Sequence, residues 1–424
     1  MTPAAADAWQ RLAPQRWPVP PQAFPPGTAL VGGAVRDALL NRLGPQPDLD
    51  LVLPGDAVAV CRELRRQHGG SAVVLDAERS IARWVVRGWT VDLARQEGGS
   101  LQADLRRRDY TINAMALPLA APDQLIDLLG GREHLASGEL VAVAEANLLD
   151  DPLRLLRGLR LASELGFRLE ARTQGWIAQH AGTLAAVAGE RVLAELEKLA
   201  AAPAGAEGLA QVLEAGLLHP WLHPDGPGIA PPAGDTETAR QRLRPLTPSQ
   251  ATALGLSAAE AAEALPLARL AALLGAETLQ RLRSSRKLQQ RVERLRRWQT
   301  RLGAAATAAA TAEQMPEPER LQLHRQLEDD LAALLLGWPP ASARPWLARW
   351  RNADDPLFHP RPAIDGDSLQ RELQLRPSPQ LGQLLHHLML EQAFGRLSGP
   401  EAGLHCARQW LLAQADAGGA EPAL

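Results

Sequence analysis

Cysteine is nearly missing from this chain. Two occur in 424 residues, Cys61 and Cys406, far apart in sequence. That excludes a disulfide framework and a zinc knuckle, and it fits a reducing, cytoplasmic setting. Aromatic side chains make up only 4%, with one tyrosine, Tyr110. A core built instead on Leu, Ala and Val favours helices. Lysine is reduced to Lys198 and Lys287, so almost all positive charge is arginine. A net charge of −3 excludes a globally basic surface. Any polyanion must therefore be met by local patches. No apolar run approaches membrane-spanning length, and the first ten residues lack the basic-then-apolar order of a signal peptide. Neither a membrane nor a protein partner is implied.

What is present divides in two. Residues 28–93 alternate strand and helix signals: strands at 28–31, 49–53, 72–75, 82–86 and 90–93, and helices at 34–43 and 57–68. After about residue 145 strand signals almost vanish. Helical periods run over 148–165, 173–180 and 190–201, and the rest is rich in Leu, Ala, Gln and Arg. A Pro/Gly-rich stretch at 227–234 predicts a linker, and the Ala/Thr stretch at 303–312 a helix or a loose connector. The fold class expected is α+β, a small mixed sheet followed by a long all-α remainder.

Three constellations carry chemistry. Val31-Gly32-Gly33-Ala34-Val35-Arg36-Asp37 places a Gly-Gly turn before a helix, a natural seat for phosphate. Asp48 and Asp50 follow on a predicted strand, where residues two apart share a face. Two adjacent carboxylates repel unless a hard divalent cation lies between them. The residues thus predict that Gly33 admits a triphosphate, Arg36 pairs with it and the aspartates hold Mg2+. Asp92, expected at a strand end, is a candidate third carboxylate.

The second constellation is Arg106-Arg107-Arg108-Asp109-Tyr110-Thr111-Ile112-Asn113, which also reads as a charged helix start with Asp109 near its positive end. Its tyrosine is expected to fill core with its hydroxyl bonded. The third is Asp150-Asp151-Pro152, with Arg154, Arg157 and Arg160 recurring every three residues on one helix stripe and Asp151 one turn before Arg154. Apolar residues between these arginines point to packing, and a half-buried Arg needs an anion.

With these three in order, the chain resembles the class II tRNA nucleotidyltransferase and bacterial poly(A) polymerase family. The family pattern GGxVRD, DxD, RRDxTINA and (E/D)DxxRxxRxxR followed by Leu-Gly-Phe is matched by 31–37, Asp48/Asp50, 107–114, 150–160 and Leu165-Gly166-Phe167. Residues 190–196 look like the family's ERxxxEL helix. A weaker match to its tRNA-binding tail lies at 364–369, 379–382 and 395–397. The resemblance implies a polymerase-β-like head at 1–145, a helical neck with a nucleotide-selecting helix at 146–205 and a tRNA-binding body and tail at 206–424. It implies nucleotide binding by Gly32, Gly33, Arg36, Arg108, Asp109 and Asn113, and a Mg2+ site on Asp48 and Asp50. Asp151 and Arg154 would read the incoming base, with Arg157 and Arg160 on the phosphates or supporting the pocket. The expected activity is addition of C and/or A to the 3′ end of tRNA from CTP and ATP. The rivals are an ATP-only poly(A) polymerase and a non-catalytic RNA-binding protein.

The sequence departs from the family pattern in three places. Two extra residues stand between Arg36 and Asp48, position 150 is Asp where Glu is common, and only fourteen residues separate Asp92 from Arg107. Members that add all of C, C and A usually carry a longer flexible segment in that last place, so the resemblance with this shorter segment implies a CC-adding or otherwise specialised member. No His-Asp pair of the phosphohydrolase type occurs. For RNA, a single predicted helix crowds Arg281, Arg283, Arg286, Lys287, Arg291, Arg294, Arg296, Arg297 and Arg301, with only Glu293 opposing. Such a face would track phosphates and read the stacked upper half of tRNA by shape.

Overall fold

The computed structural model describes residues 5–222 and 233–418. The chain divides into two compact units, Met1–Ala233 and Gly234–Leu424. In the first, α1 (Ala5–Leu12) precedes β1 (Ala29–Val31) and α2 (Gly33–Leu39). Then come β2 (Leu49–Leu53), α3 (Ala57–His68), β3 (Ser71–Asp76), β4 (Ile81–Val86) and β5 (Trp89–Arg95). α4 (Leu101–Arg106), β6 (Met115–Pro118), β7 (Ile126–Asp127) and α5 (Gly131–Ser137) complete the sheet layer. The strand order is β3-β4-β5-β2-β1-β6-β7, mixed because only β2 and β5 run parallel. The long connection that parallel pairing requires is supplied by α3 and the β3–β4 hairpin. α3 starts where Asp56 accepts bonds from the Val58 and Ala59 amides. One core cluster joins Ala29, Val31, Val52, Leu105 and Ala116 beneath the sheet.

β2 and α3 have the bounds expected from the sequence. Other elements do not. The helix expected over 34–43 ends at Leu39, and Asn41 turns left-handed at φ 56°. Asp92 sits mid-strand in β5 rather than at its end. The run 106–108 closes α4 instead of opening a helix, with Arg106 its last residue and Arg107 its C-cap. That places the cations at the negative end of the helix. β6 was not expected, because Met115-Ala-Leu-Pro has no β-branched residue. It becomes a strand by filling the other edge of β1, a tertiary demand that outweighs local preference.

A short parallel pair, β8 (Glu139–Leu140) with β9 (Arg168–Leu169), brackets the next helices. These are α6 (Glu145–Asp150), α7 (Leu153–Leu165), α8 (Ala171–Gln179), α9 (Gly189–Ala201), α10 (Gly205–Glu214) and α11 (His219–Leu222). The single helix expected over 148–165 is broken between α6 and α7. Pro152 removes a backbone donor and pushes the preceding residue out of the helical region. Asp151 is accordingly extended, at φ −139° and ψ 96°, and is not on the helix one turn before Arg154. α7 packs on α9 and α10 through Leu155, Leu156 and Leu159, all buried.

Of the linker expected at 227–234, residues 227–232 lie outside the described residues. The last two belong to α12 (Ala233–Leu243), the first helix of the second stretch. It continues with α13 (Pro248–Leu254), α14 (Ala258–Leu273), α15 (Ala276–Arg281), α16 (Arg286–Leu302) and α17 (Ala308–Glu313). α18 (Glu317–Leu327), α19 (Leu331–Leu335), α20 (Pro340–Trp350), α21 (Gly366–Leu373), α22 (Pro379–Ala393) and α23 (Gly399–Gly418) follow. The expected all-α remainder is what forms, and Trp298, Trp338 and Trp346 are buried in it. No helix among the described residues is long and apolar enough to cross a membrane.

Candidate active site

Strand register brings the carboxylates together. Asp50 on β2 is aligned with Asp92 on the parallel neighbour β5, and Asp92 with Arg83 on β4. The three lie in one row across adjacent strands. Arg83 donates from Nε and Nη2 to the two oxygens of Asp92, at 2.7 and 2.8 Å. Asp48 is exposed immediately before β2. Burial, then the Asp92 charge, push the Asp50 carboxyl up to about 6; Arg108 and Arg157 oppose the rise, and Asp48 adds to it. Burial more than neighbouring charge thus disfavours the ionised form of Asp50. Among the described residues no group of three or more His, Cys, Asp or Glu side chains could hold a metal. A closed protein cage is thus not built here. Two carboxylates with room for substrate phosphates are the usual protein contribution to a Mg2+-type site, and that donor set fits a divalent cation shared with a ligand.

The conformational demand in the Gly-Gly turn falls on Gly32, not Gly33. Gly32 has φ 74°, and a Cβ there would lie 3.0 Å from Asp50 Oδ2 and 3.5 Å from Arg108 Nη1. A side chain at this point would therefore be both strained and wedged against the acidic pair. Gly33 is the first residue of α2, where a Cβ would make only ordinary contact with Arg36. Arg108 donates from Nε and Nη2 to Asp104, at 3.2 and 3.0 Å, which holds it beside Asp50.

Arg36 does not reach outward. It is buried, donates twice to Asp37, and donates from Nη1 to Asn113 Oδ1 at 2.8 Å. Asn113 in turn donates to Asp109 Oδ1 at 3.2 Å, and the Asp109 carboxylate lies 2.9 Å from Arg157 Nε. One continuous polar chain thus ties the Gly-Gly turn, the 107–114 segment and α7. Burial pushes the Asp109 carboxyl up, but Arg157, the Tyr110 and Asn113 amides and Arg154 outweigh it and hold it below the ordinary value. Tyr110 is fully buried, and its hydroxyl donates to the Arg154 carbonyl at 2.8 Å. Gly158 on α7 leaves room for that ring.

The third constellation separates into different jobs. Arg154 donates from Nη1 to the carbonyls of Arg107 and Asn147, at 2.9 and 2.8 Å, which fixes its direction. Asp151 is about a third exposed; Oδ1 accepts from the Leu153 amide and Oδ2 from Arg191 Nη2 at 3.0 Å. Arg160 is mostly buried and pairs with Glu195 and Glu164, both at 2.6 Å. Arg157 is the half-exposed member and faces Asp109.

Arg83 and Asp104 were not singled out from the sequence, and Arg191 and Glu195 entered only as part of the ERxxxEL segment, without a role. Arg191 and Glu195 stand at i and i+4 of the ERxxxEL segment, a spacing that puts both on one face of α9. That face meets Asp151 and Arg160. Arg83 carried no sequence signal beyond facing outward on an alternating strand.

The basic run in the second stretch is not one helix. α15 ends at Arg281, Arg283 turns left-handed at φ 55°, and Ser285 caps α16. Several of its arginines have internal partners. Arg291 pairs with Asp330 at 2.7 Å, Arg301 with Glu319 at 2.5 Å, and Arg297 donates to Gln326. Arg294 is half-buried, whereas Arg281, Arg283, Arg286 and Lys287 are exposed around the α15–α16 corner.

Residues 28–141 match the family described as the poly(A) polymerase head domain, and residues 166–230 match a probable RNA- and SrmB-binding site of polymerase A. The second match precedes the basic corner. A CC-adding tRNA nucleotidyltransferase of Synechocystis sp. is 33% identical over 403 residues, spanning 91% of this chain and 94% of that one. A CCA-adding enzyme of Geobacillus stearothermophilus is 37% identical over 200 residues, but spans only 44% of this chain and 48% of its own length. Among solved structures, a CCA-adding enzyme with CTP superposes with a TM-score of 0.64 at 22% identity, over 93% of this chain and 91% of that one. The last likeness is one of fold.

Proposed function

The chain belongs to the tRNA nucleotidyltransferase family, and from that premise we propose that it is a Mg2+-dependent, cytoplasmic enzyme whose product ends in CC. Within a family that extends the 3′ end of tRNA with C and/or A from CTP and ATP without a nucleic-acid template, this chain adds the two cytidines from CTP. The hydroxyl of the RNA end attacks the α-phosphate of a nucleoside triphosphate, and pyrophosphate leaves. The domain reading follows the resemblance: head 1–145, neck 146–205, and a tRNA-binding body and tail over 206–424.

Asp48 and Asp50 would hold the ion, which when bound neutralises charge on the attacking and leaving oxygens. The other roles belong to side chains in place. Gly32 keeps the turn beside Asp50 bare, so that a triphosphate can approach the backbone. Arg108, steadied by Asp104, and the half-exposed Arg157 present positive charge to the phosphates. Arg36, Asn113 and Asp109 act as the frame between them. Asp92, paired with Arg83, stands beside Asp50 on the neighbouring strand.

Base choice rests on Asp151 and Arg154. Cytosine and adenine present an exocyclic amine, a donor that a carboxylate accepts. Uracil and guanine present a carbonyl there, so acceptor meets acceptor and a buried group is left unpaired. Arg191 holds Asp151, and the two carbonyls hold Arg154, so the reading pair is pre-positioned. Arg160, bound to Glu195, braces α7 on α9. The exposed Arg281, Arg283, Arg286 and Lys287 serve as phosphate contacts for tRNA, with Arg294 and Arg297 flanking them.

The observation that carries the choice of CC is the tight connection between β5 and α4. Only residues 96–100 lie there, closed by Ser100 capping α4, with no room for a longer flexible segment. Sequencing the 3′ ends made from tRNA lacking its last three nucleotides tests this. Two added cytidines with CTP alone, and the same end when ATP is also present, are expected. A terminal adenosine would overturn the CC reading, and no addition at all would overturn the transferase.

A further inference from the structure

The helical second unit holds a cavity of about 590 Å³ whose walls come from α12, α14, α16, α17 and the segment after α19. Its size falls in the range of small-molecule sites, roughly 300–1,000 Å³. Its lining includes apolar Leu302, Ala305, Ala308 and Leu334 together with two guanidiniums, Arg242 and Arg296. None of the described residues lining it is acidic.

The two arginines are in different states. Arg296 is half-buried, and its Nη1 donates to the carbonyls of Ala271 and Leu274 at the end of α14, which fixes its direction. Burial, and then the Arg242 charge, lower its pKa. Arg242 is exposed and makes no hydrogen bond or ion pair among the described residues. The two like charges disfavour each other at Arg296, and no described residue lining the cavity is a carboxylate. An anion seated between them would relieve that repulsion and pair with the half-buried Arg296. Guanidiniums pair best with planar or tetrahedral oxyanions, where two parallel bonds form at once.

We propose that this cavity binds a phosphorylated nucleotide unit, with the phosphate between Arg242 and Arg296 and the nucleoside against Leu302, Ala305 and Leu334. Its lining shares no residue with the Asp48/Asp50 centre. The ligand chemistry has two sources, a nucleotide within bound tRNA or a free mononucleotide. Only the first rests on the tRNA reading above.

Two variants of the full chain separate charge from space. Arg242→Gln removes one guanidinium at an exposed position, and Ala305→Trp adds bulk at the exposed rim of the cavity while leaving both charges. tRNA affinity is measured against salt concentration, and AMP and CMP stoichiometry by calorimetry. If the ligand is a tRNA nucleotide, both variants weaken tRNA about tenfold. Arg242→Gln alone then lowers the salt slope by about one. If the ligand is a free nucleotide, tRNA affinity is unchanged, and both variants lose one mononucleotide site while keeping the other. Wild-type affinities retained in both variants for tRNA and for both mononucleotides would overturn the proposal. A wild-type chain that binds no tRNA would sink the functional reading, and the mononucleotide titration would still test the cavity.

Discussion

Gly158 passes Tyr110 so closely that a Cβ on the glycine would stand 2.1 Å from the phenol oxygen and 2.8 Å from the ring carbon bearing it. Both residues are buried, and the tyrosine is held by its bond to the Arg154 carbonyl. Gly158→Ala therefore sets two effects against each other. Alanine gains about 1 kcal/mol of helix propensity, while forcing an extra methyl into a packed site costs about 1–3 kcal/mol. The contact is expected to win, so the melting temperature falls. The double variant with Tyr110→Phe should fall by less than the two single losses added, because the closest clash has gone. Equal or greater stability in Gly158→Ala would show that α7 can shift away from the ring.

Asp48→Ala and Asp50→Asn are expected to lower incorporation of CTP by about a thousandfold or more. Affinity for tRNA should stay within about threefold, since a single carboxylate contributes little to a grip dominated by phosphate contacts. Labelled CTP incorporation and filter binding read the two quantities. Loss of tRNA binding in both variants would make the pair structural.

Asp151→Ala removes the acceptor that faces the exocyclic amine and leaves Arg191 without this partner. Incorporation of UTP relative to CTP should rise by at least about tenfold, because the site no longer penalises a carbonyl. Arg191→Gln should give a smaller shift in the same direction by loosening Asp151. An unchanged UTP/CTP ratio in Asp151→Ala would remove the aspartate from base selection.

His324, in the second unit, gives a pH signature of its own. It is buried between Trp346 and Phe358, with ring centroids 5.1 and 4.1 Å away, and neither ring nitrogen has a partner among the described residues. Burial, then Arg320 and Arg349, push its pKa from 6.5 down to about 3. Above pH 6.5 neither folded nor unfolded chain carries the proton, and nothing is lost. Between 6.5 and about 3 the unfolded chain takes a proton that the folded chain refuses, so stability falls as pH falls. At about pH 5 the loss is about 2 kcal/mol. Guanidinium unfolding followed at neutral pH and at about pH 5 should show this difference shrinking in His324→Leu. An unchanged difference would assign the pH dependence to other groups.

What the sequence made legible is local and periodic. The alternating run through Asp50 and the apolar face of α3 fix those elements, since period and caps are written in neighbouring residues. The break at Asp151 was hidden because apolar periodicity continues through Leu148, Leu149, Leu153 and Leu156, and Pro152 reads equally well as a first-turn proline. The arginines spaced by three looked alike. Arg154, Arg157 and Arg160 differ only through partners from other elements: two backbone carbonyls, Asp109 and Glu195. Charge counting likewise overstated the basic run near 281–301, since Asp330 and Glu319 come back to it from later helices.

The salt bridge between Arg83 and Asp92 means that the acidic centre arrives with a counter-ion already attached to the chain. The repulsion between carboxylates on neighbouring strands is thereby partly offset from within the chain, so the sheet can close before any ligand arrives.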